Sequence, residues 1–235
     1  MPTTYATHGL VLTEHEFSIP LDHAAPDGRR IVEATVALHR EVGPARTTVA
    51  EIARRAGVNR LTVYNHFPDE GGLFAACQEH FLAEQPLPDF GRALAIADPR
   101  ARVRAVLGLL YASFRAREPM TAKILRDRTA LPALDELVAQ TMDAQQSALA
   151  DALAAGFGAP DLRLRAVVAL ALDFETWQRL QREGLDDAAA AELMSDLVAT
   201  AAERREGGDM VAPWKSPGAV ATPTPLAGGG RPPVR

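Results

Sequence analysis

The densest chemistry in this chain lies in Thr48-Val-Ala-Glu-Ile-Ala-Arg-Arg-Ala-Gly-Val-Asn-Arg-Leu-Thr-Val-Tyr-Asn-His-Phe67. Ile52, Ala53, Ala56, Val58, Val63 and Phe67 recur there as they would on two short helices that share one small core across a glycine-containing turn. Helical geometry then turns Arg60, Thr62, Tyr64, Asn65 and His66 mostly outward. A guanidinium, hydroxyls, an amide and an imidazole on one short exposed helix can reach base edges and phosphate oxygens, and a helix-turn-helix sets its second helix in the DNA major groove. The candidate DNA contacts are Thr48, Asn59, Arg60, Leu61, Thr62, Tyr64, Asn65 and His66. Arg60 suits a guanine edge or a phosphate, Tyr64 mainly a phosphate, and His66 the backbone, whereas Thr48 and Asn59 are chiefly helix caps. Arg29 and Arg30 are further candidates, from a preceding helix.

The remaining reactive residues form no catalytic pattern. His8, His15, His23, His39, His66 and His80 show no H-x-x-x-H spacing, and Cys77, the only cysteine, lies on an alanine-rich helical stretch. One thiol forms no internal disulfide and anchors no zinc or iron-sulfur site, so Cys77 reads as a core residue. Asp186-Asp187 sits at a helix start, where cap and dipole account for it. Neither a glycine-rich phosphate loop nor a G-x-S-x-G elbow is present. The expectation is a non-enzyme without metal or cofactor.

The elements that must position the motif are helical. Among 235 residues, 44 are alanine and 27 leucine but only five isoleucine, a supply that suits helices better than strands. The fold class expected is all-α, a three-helix DNA-binding domain with a larger helical domain after it. The 47% hydrophobic and 23% charged residues match a folded soluble protein. No apolar run approaches the roughly 18 residues of a membrane span, and Met1–Leu12 lacks secretory-signal features, so a cytoplasmic location and no membrane partner are expected. The net charge of −5 argues against general coating of nucleic acid. Between Asp27 and Phe67, however, seven arginines face four carboxylates, a local excess of three positive charges.

Along the chain, residues 1–26 read as an irregular arm. Asp27 opens a first helix that Gly43-Pro44 stops, Thr48-x-x-Glu51 is a capping box for the second, and Asn59 caps the third, which Pro68 ends. A fourth helix covers roughly Glu70–Gln85. Further amphipathic helices are expected near 99–117, 120–129, 131–156, 161–183 and 186–206, with breaks at Glu118-Pro119 and Leu131-Pro132 among others. The division expected is 1–26 arm, 27–69 helix-turn-helix domain, 70–206 larger helical domain, and 207–235 disordered tail, the last holding six glycines and six prolines.

At these residues the chain resembles the TetR family of bacterial transcriptional regulators. Ile31–Gly43 matches the family's first helix, and Thr47–Phe67 its T-T-V-x-x-I-A-x-x-A-G-V-S-R-G-T-L-Y-x-H-F, more weakly continued through Leu170–Trp177 and Ala189–Val198. The resemblance implies a ligand-responsive regulator, most often a repressor, that binds a palindromic double-stranded operator as a homodimer and answers to a small hydrophobic effector. Two C-terminal helices, carrying Val167, Leu170, Phe174, Trp177, Leu193, Leu197 and Val198, are implied to pair with their copies. Leu109, Leu110, Phe114, Met120, Leu125, Leu137, Met142 and Trp177, with Arg126, Thr141, Gln145 or Glu175, are cavity candidates; none is assigned to ligand. Three departures stand out: Glu70 where a lysine is common, His39 where a core phenylalanine is usual, and Leu61 in place of glycine. His39 is expected partly exposed at its helix end. The alternative, suggested by Asp69, Glu70 and the acidic total, is a helical small-molecule-binding protein with weak or lost DNA binding. Gly9–His23 resembles the first strand of prolyl aminopeptidases, without their catalytic apparatus.

Overall fold

The computed structural model describes residues 4–7, 10–13, 26–159 and 161–206. The proposed disordered tail and most of the arm lie outside the described residues. Within the arm, β1 (Thr4–Thr7) and β2 (Leu10–Thr13) pair antiparallel, Tyr5 opposite Leu12. The irregular reading is corrected there: threonine, tyrosine, valine and leucine suit a pleated pair. All other described elements are helical.

The first helical unit comprises α1 (Pro26–Glu41), α2 (Val49–Ala56), α3 (Arg60–His66) and α4 (Glu70–Glu84). Their inward positions, Ile31, Val32, Val36, Leu38, Ile52, Val63, Phe67, Leu73, Cys77 and Phe81, make one core. Met120 from a later helix closes it. Cys77 is buried as expected, and that burial pushes its thiol far above the ordinary range, which leaves it unreactive. His39 differs from expectation. It is 4% exposed, its ring 5.8 Å from that of Phe74, because the following turn packs under the end of a long helix instead of opening to solvent.

That long helix is α6 (Pro99–Asp127), preceded by the short α5 (Gly91–Leu94), which lies outside the expected helices. The expected break at Glu118-Pro119 does not occur. Proline in a helix interior costs about 3 kcal/mol. Here Phe114 anchors α6 in one core and Met120 in the other, so packing on both sides of Pro119 outweighs that cost. The expected helix 131–156 is α7 (Pro132–Val138), a π-helical turn (Ala139–Asp143) and α8 (Ala144–Ala155).

Conversely, the helix expected over 161–183 is broken into α9 (Leu162–Leu172) and α10 (Phe174–Arg182). Asp173 is extended, and its Oδ2 accepts from Thr176 N at 2.7 Å, a cap that competes with helix continuation. The freed carbonyls find side-chain donors: Tyr111 Oη donates to Ala171 O (2.8 Å) and Gln146 Nε2 to Leu172 O (3.2 Å). The break sends Phe174 and Trp177 into the core and leaves Leu170 54% exposed, so residues expected on one stripe lie on opposite sides. α11 (Asp187–Glu206) packs against α6 and α9. Among the described residues, no helix is long and apolar enough to cross a membrane.

Candidate nucleic-acid interface

Local chemistry builds the motif. Thr48 caps α2, its Oγ1 accepting from Glu51 N at 3.2 Å. The reciprocal half of the expected capping box is replaced, since the Glu51 carboxylate takes Arg54 Nε at 3.1 Å. Gly57, in the left-handed region at φ 68°, ends α2, and Asn59 caps α3. Asn59 Oδ1 accepts from both Thr62 N (2.8 Å) and Thr62 Oγ1 (3.1 Å), so these two side chains are occupied by each other. Arg60, Leu61, Tyr64 and Asn65 are exposed, and His66 and Thr62 are half-buried. No hydrogen bond or ion pair within the described residues occupies Arg60, Tyr64 or Asn65.

The seven arginines of the unit divide sharply. Arg30 pairs with Asp27 (2.5 Å), Arg40 with Glu84 (2.6 Å), Arg54 with Glu51, and Arg55 takes both oxygens of Glu41 (2.7 and 2.5 Å). The remaining cations are Arg29, Arg46 and Arg60, all exposed. Of the two first-helix candidates, Arg29 is thus the one uncommitted. At the start of α4, Asp69 Oδ1 accepts from Gly72 N at 2.8 Å, a cap, while Glu70 is exposed. Glu70→Lys is expected to raise DNA affinity and to steepen the log–log salt slope by about one, as one more phosphate is neutralised. Titrations at four salt concentrations check this, and an unchanged slope places Glu70 away from the phosphates.

A second feature had no sequence signal. Asp127, buried at the end of α6, accepts from Ala45 N at 3.0 Å on Oδ2 and from Arg126 Nε at 2.6 Å on Oδ1. Arg126 Nη2 also donates to Val42 O at 3.2 Å. The Arg126 guanidinium, helped by the Ala45 N–H, holds the Asp127 carboxyl below its ordinary range. Gly43, at φ 93°, leaves its Cβ position to the Arg126 and Asp127 side chains, so a larger residue there is strained and pushes against both. Arg126 is therefore a clasp on the turn between α1 and α2 and not a cavity contact. Sequence reasoning missed Asp127 because its partner is 82 residues away.

The adjoining Arg128 grips Asp143 (2.7 Å) of the π turn and Asp135 (2.6 Å). These segments border a cavity of about 190 Å³ lined by Leu125, Arg128, Met142, Asp143, Gln146, Asp173, Phe174 and Glu175. Of the cavity candidates, Leu125, Met142 and Glu175 line it. Leu110, Phe114, Met120 and Trp177 are buried core, and Leu109 is exposed. Three carboxylates and an arginine make the lining more polar than expected.

Residues 31–77 match the family described as bacterial regulatory proteins, tetR family. This likeness to the TetR family covers 47 of the chain's 235 residues. The regulator BetI of Yersinia pestis (strain Pestoides F) is 35% identical over 80 residues, 33% of this chain and 40% of BetI. BetI of Pectobacterium carotovorum subsp. carotovorum (strain PC1) is 33% identical over 81 residues, 34% and 42% of the two chains. The match thus spans less than half the length of these relatives, which are named as transcriptional regulators and not as enzymes. Two solved structures share the fold. A tetR-family regulator from Streptomyces coelicolor superposes with TM-score 0.53 at 18% identity, covering 77% of this chain and 85% of that one. NalD of Pseudomonas aeruginosa superposes with TM-score 0.51 at 20% identity, covering 77% and 97%. The likeness in fold therefore covers about three quarters of the chain, whereas the sequence likeness to these relatives covers about a third of it.

Proposed function

We propose that this chain is a ligand-responsive transcriptional regulator of the TetR family, a repressor, that binds a palindromic operator as a homodimer in the cytoplasm. One observation carries the reading: α3 presents Arg60, Leu61, Tyr64 and Asn65 to solvent while its own side, Val63, is buried. Asn59 and Thr48 support the contact face by capping the two helices, and Thr62 and His66 flank it. Arg29 adds unpaired positive charge to the unit, and Arg46, whose charge also acts on the Asp127 carboxylate, adds exposed positive charge. The division into an arm, a DNA-binding unit over 27–69, a ligand and dimerisation unit over 70–206 and a tail belongs to the same proposal.

Pairing of two copies is supported by the exposed leucines of two neighbouring helices, Leu162 and Leu170 on α9 with Leu193 and Leu197 on α11. Phe174, Trp177 and Val198, expected in the pairing face, are instead interior to one subunit. Two-fold pairing sets two recognition helices about one DNA turn apart, which is what a palindrome requires. The cavity supports a small effector whose apolar body meets Leu125, Met142 and Phe174, with polar anchors. It must bind the DNA-free arrangement better than the DNA-bound one, with a coupling of about 1–3 kcal/mol.

The test is fluorescence anisotropy with duplexes from upstream intergenic DNA. Tight, salt-sensitive binding to particular duplexes supports the reading, and equal weak binding to every duplex sinks it. Arg60→Ala is expected to cost about 1–3 kcal/mol of specific binding with the fold intact by circular dichroism. Undiminished affinity removes Arg60 from the interface.

A further inference from the structure

Leu61 is 67% exposed and Tyr64 53% exposed. They stand three residues apart on α3, so their side chains are neighbours on one flank of that helix. The other aliphatic side chains of the motif are treated differently: Ile52 and Val63 are buried, and Val58 packs against the same core. Leu61 alone among them is left in water. Its surroundings on the helix are polar, with Arg60 beside it and Asn65 four residues on, both exposed. Neither Asn59 nor Thr62 competes for the same spot, because each holds the other.

A leucine in that place gains nothing from phosphate, which would strip its water and return no contact. The major groove offers one apolar group, the 5-methyl of thymine, and no other base of B-DNA carries it. We infer that Leu61, flanked by Tyr64, reads the 5-methyl group of a thymine in each operator half-site and so selects that base pair. This rests on the DNA-binding reading above and adds the base that the helix selects. Arg60 supplies hydrogen bonds or charge; Leu61 supplies discrimination by shape and apolar contact.

The experiment begins with selection of duplexes from a random library by the full chain. The enriched site is then remade with deoxyuridine at each thymine in turn, which deletes the methyl group and leaves every hydrogen-bonding atom. One thymine per half-site is expected to weaken wild-type binding about four-fold on replacement, the scale of burying one methyl group. Leu61→Ala, on an exposed position of a helix, is expected to bind the thymine and deoxyuridine sites equally at that position. The deoxyuridine scan of the wild-type chain decides the matter even if the variant misfolds. An enriched site whose deoxyuridine versions all bind as tightly as the parent overturns this inference and leaves the DNA-binding reading standing. Discrimination that persists undiminished in a folded Leu61→Ala protein also overturns it. Failure to enrich any sequence overturns both.

Discussion

Trp177→Ala is expected to destabilise the fold by about 3–5 kcal/mol, the range found for removing a large aromatic ring from a packed core. Trp177 is 1% exposed, and its ring lies 5.5 Å from that of Phe174 and 5.7 Å from that of Phe114. Its Nε1 donates to Asp187 Oδ1 at 3.0 Å. Asp187 is a hub: Arg115 reaches it through Nε (2.7 Å) and Nη2 (2.8 Å), and Gln181 Nε2 donates at 3.1 Å. Loss of the indole therefore opens a cavity without orphaning the carboxylate, so the cost comes from packing. Trp177→Phe is expected to lose far less, on the order of 1 kcal/mol for one hydrogen bond plus the smaller ring. Urea titrations followed by circular dichroism, at one fixed protein concentration, check both. A loss under about 1 kcal/mol for Trp177→Ala refutes the interior placement of the ring.

Stability is also expected to fall on mild acidification because of His39. Burial holds its imidazole down at about 4, against the opposing pull of the Asp127 carboxylate, whereas the unfolded chain titrates near its ordinary 6.5. Below pH 6.5 the unfolded state takes up a proton that the folded state refuses. The contribution is thus fully present above pH 6.5 and is lost as the pH drops toward 4. Between pH 7.5 and pH 5 that linkage amounts to about 2 kcal/mol. His39→Phe, which keeps a ring against Phe74 and removes the proton site, is expected to flatten this part of the profile. Asp127, whose carboxyl is held low, adds its own loss only at more acid pH, so the two are separable. A wild-type urea midpoint that stays constant from pH 7.5 to pH 5 contradicts the buried neutral imidazole.

These two residues mark the division between short-range and long-range information. Thr48, Gly57, Asn59 and Pro68 act on backbone groups within three or four residues of themselves, so the helix-turn-helix was legible from spacing, and Arg60, Leu61, Tyr64 and Asn65 emerge exposed as the helical period requires. Half of the expected capping box fails because Arg54, one turn away on α2, outcompetes a backbone N–H for the Glu51 carboxylate. The arginine excess was legible as a sum but not as a map. Only the fold shows that Arg40 meets Glu84 and Arg55 meets Glu41, whereas Arg29, Arg46 and Arg60 are exposed.

What the sequence by itself determined is the helical class and the local grammar of the DNA-binding unit, since caps, turns and a period of 3.6 residues need no distant partner. What only the tertiary structure decided is where long-range packing overrules that grammar. α6 runs through Pro119 because two cores clamp it, and α9 stops at Asp173 because Tyr111 and Gln146 arrive to satisfy the freed carbonyls. Leu170 consequently faces out while Trp177 faces in. The Asp127 clasp on Ala45, the burial of His39 beneath it and the cavity beside Arg128 belong to the same class. Each depends on a contact between segments far apart in the chain, and the free energy of such a contact resides in neither segment alone.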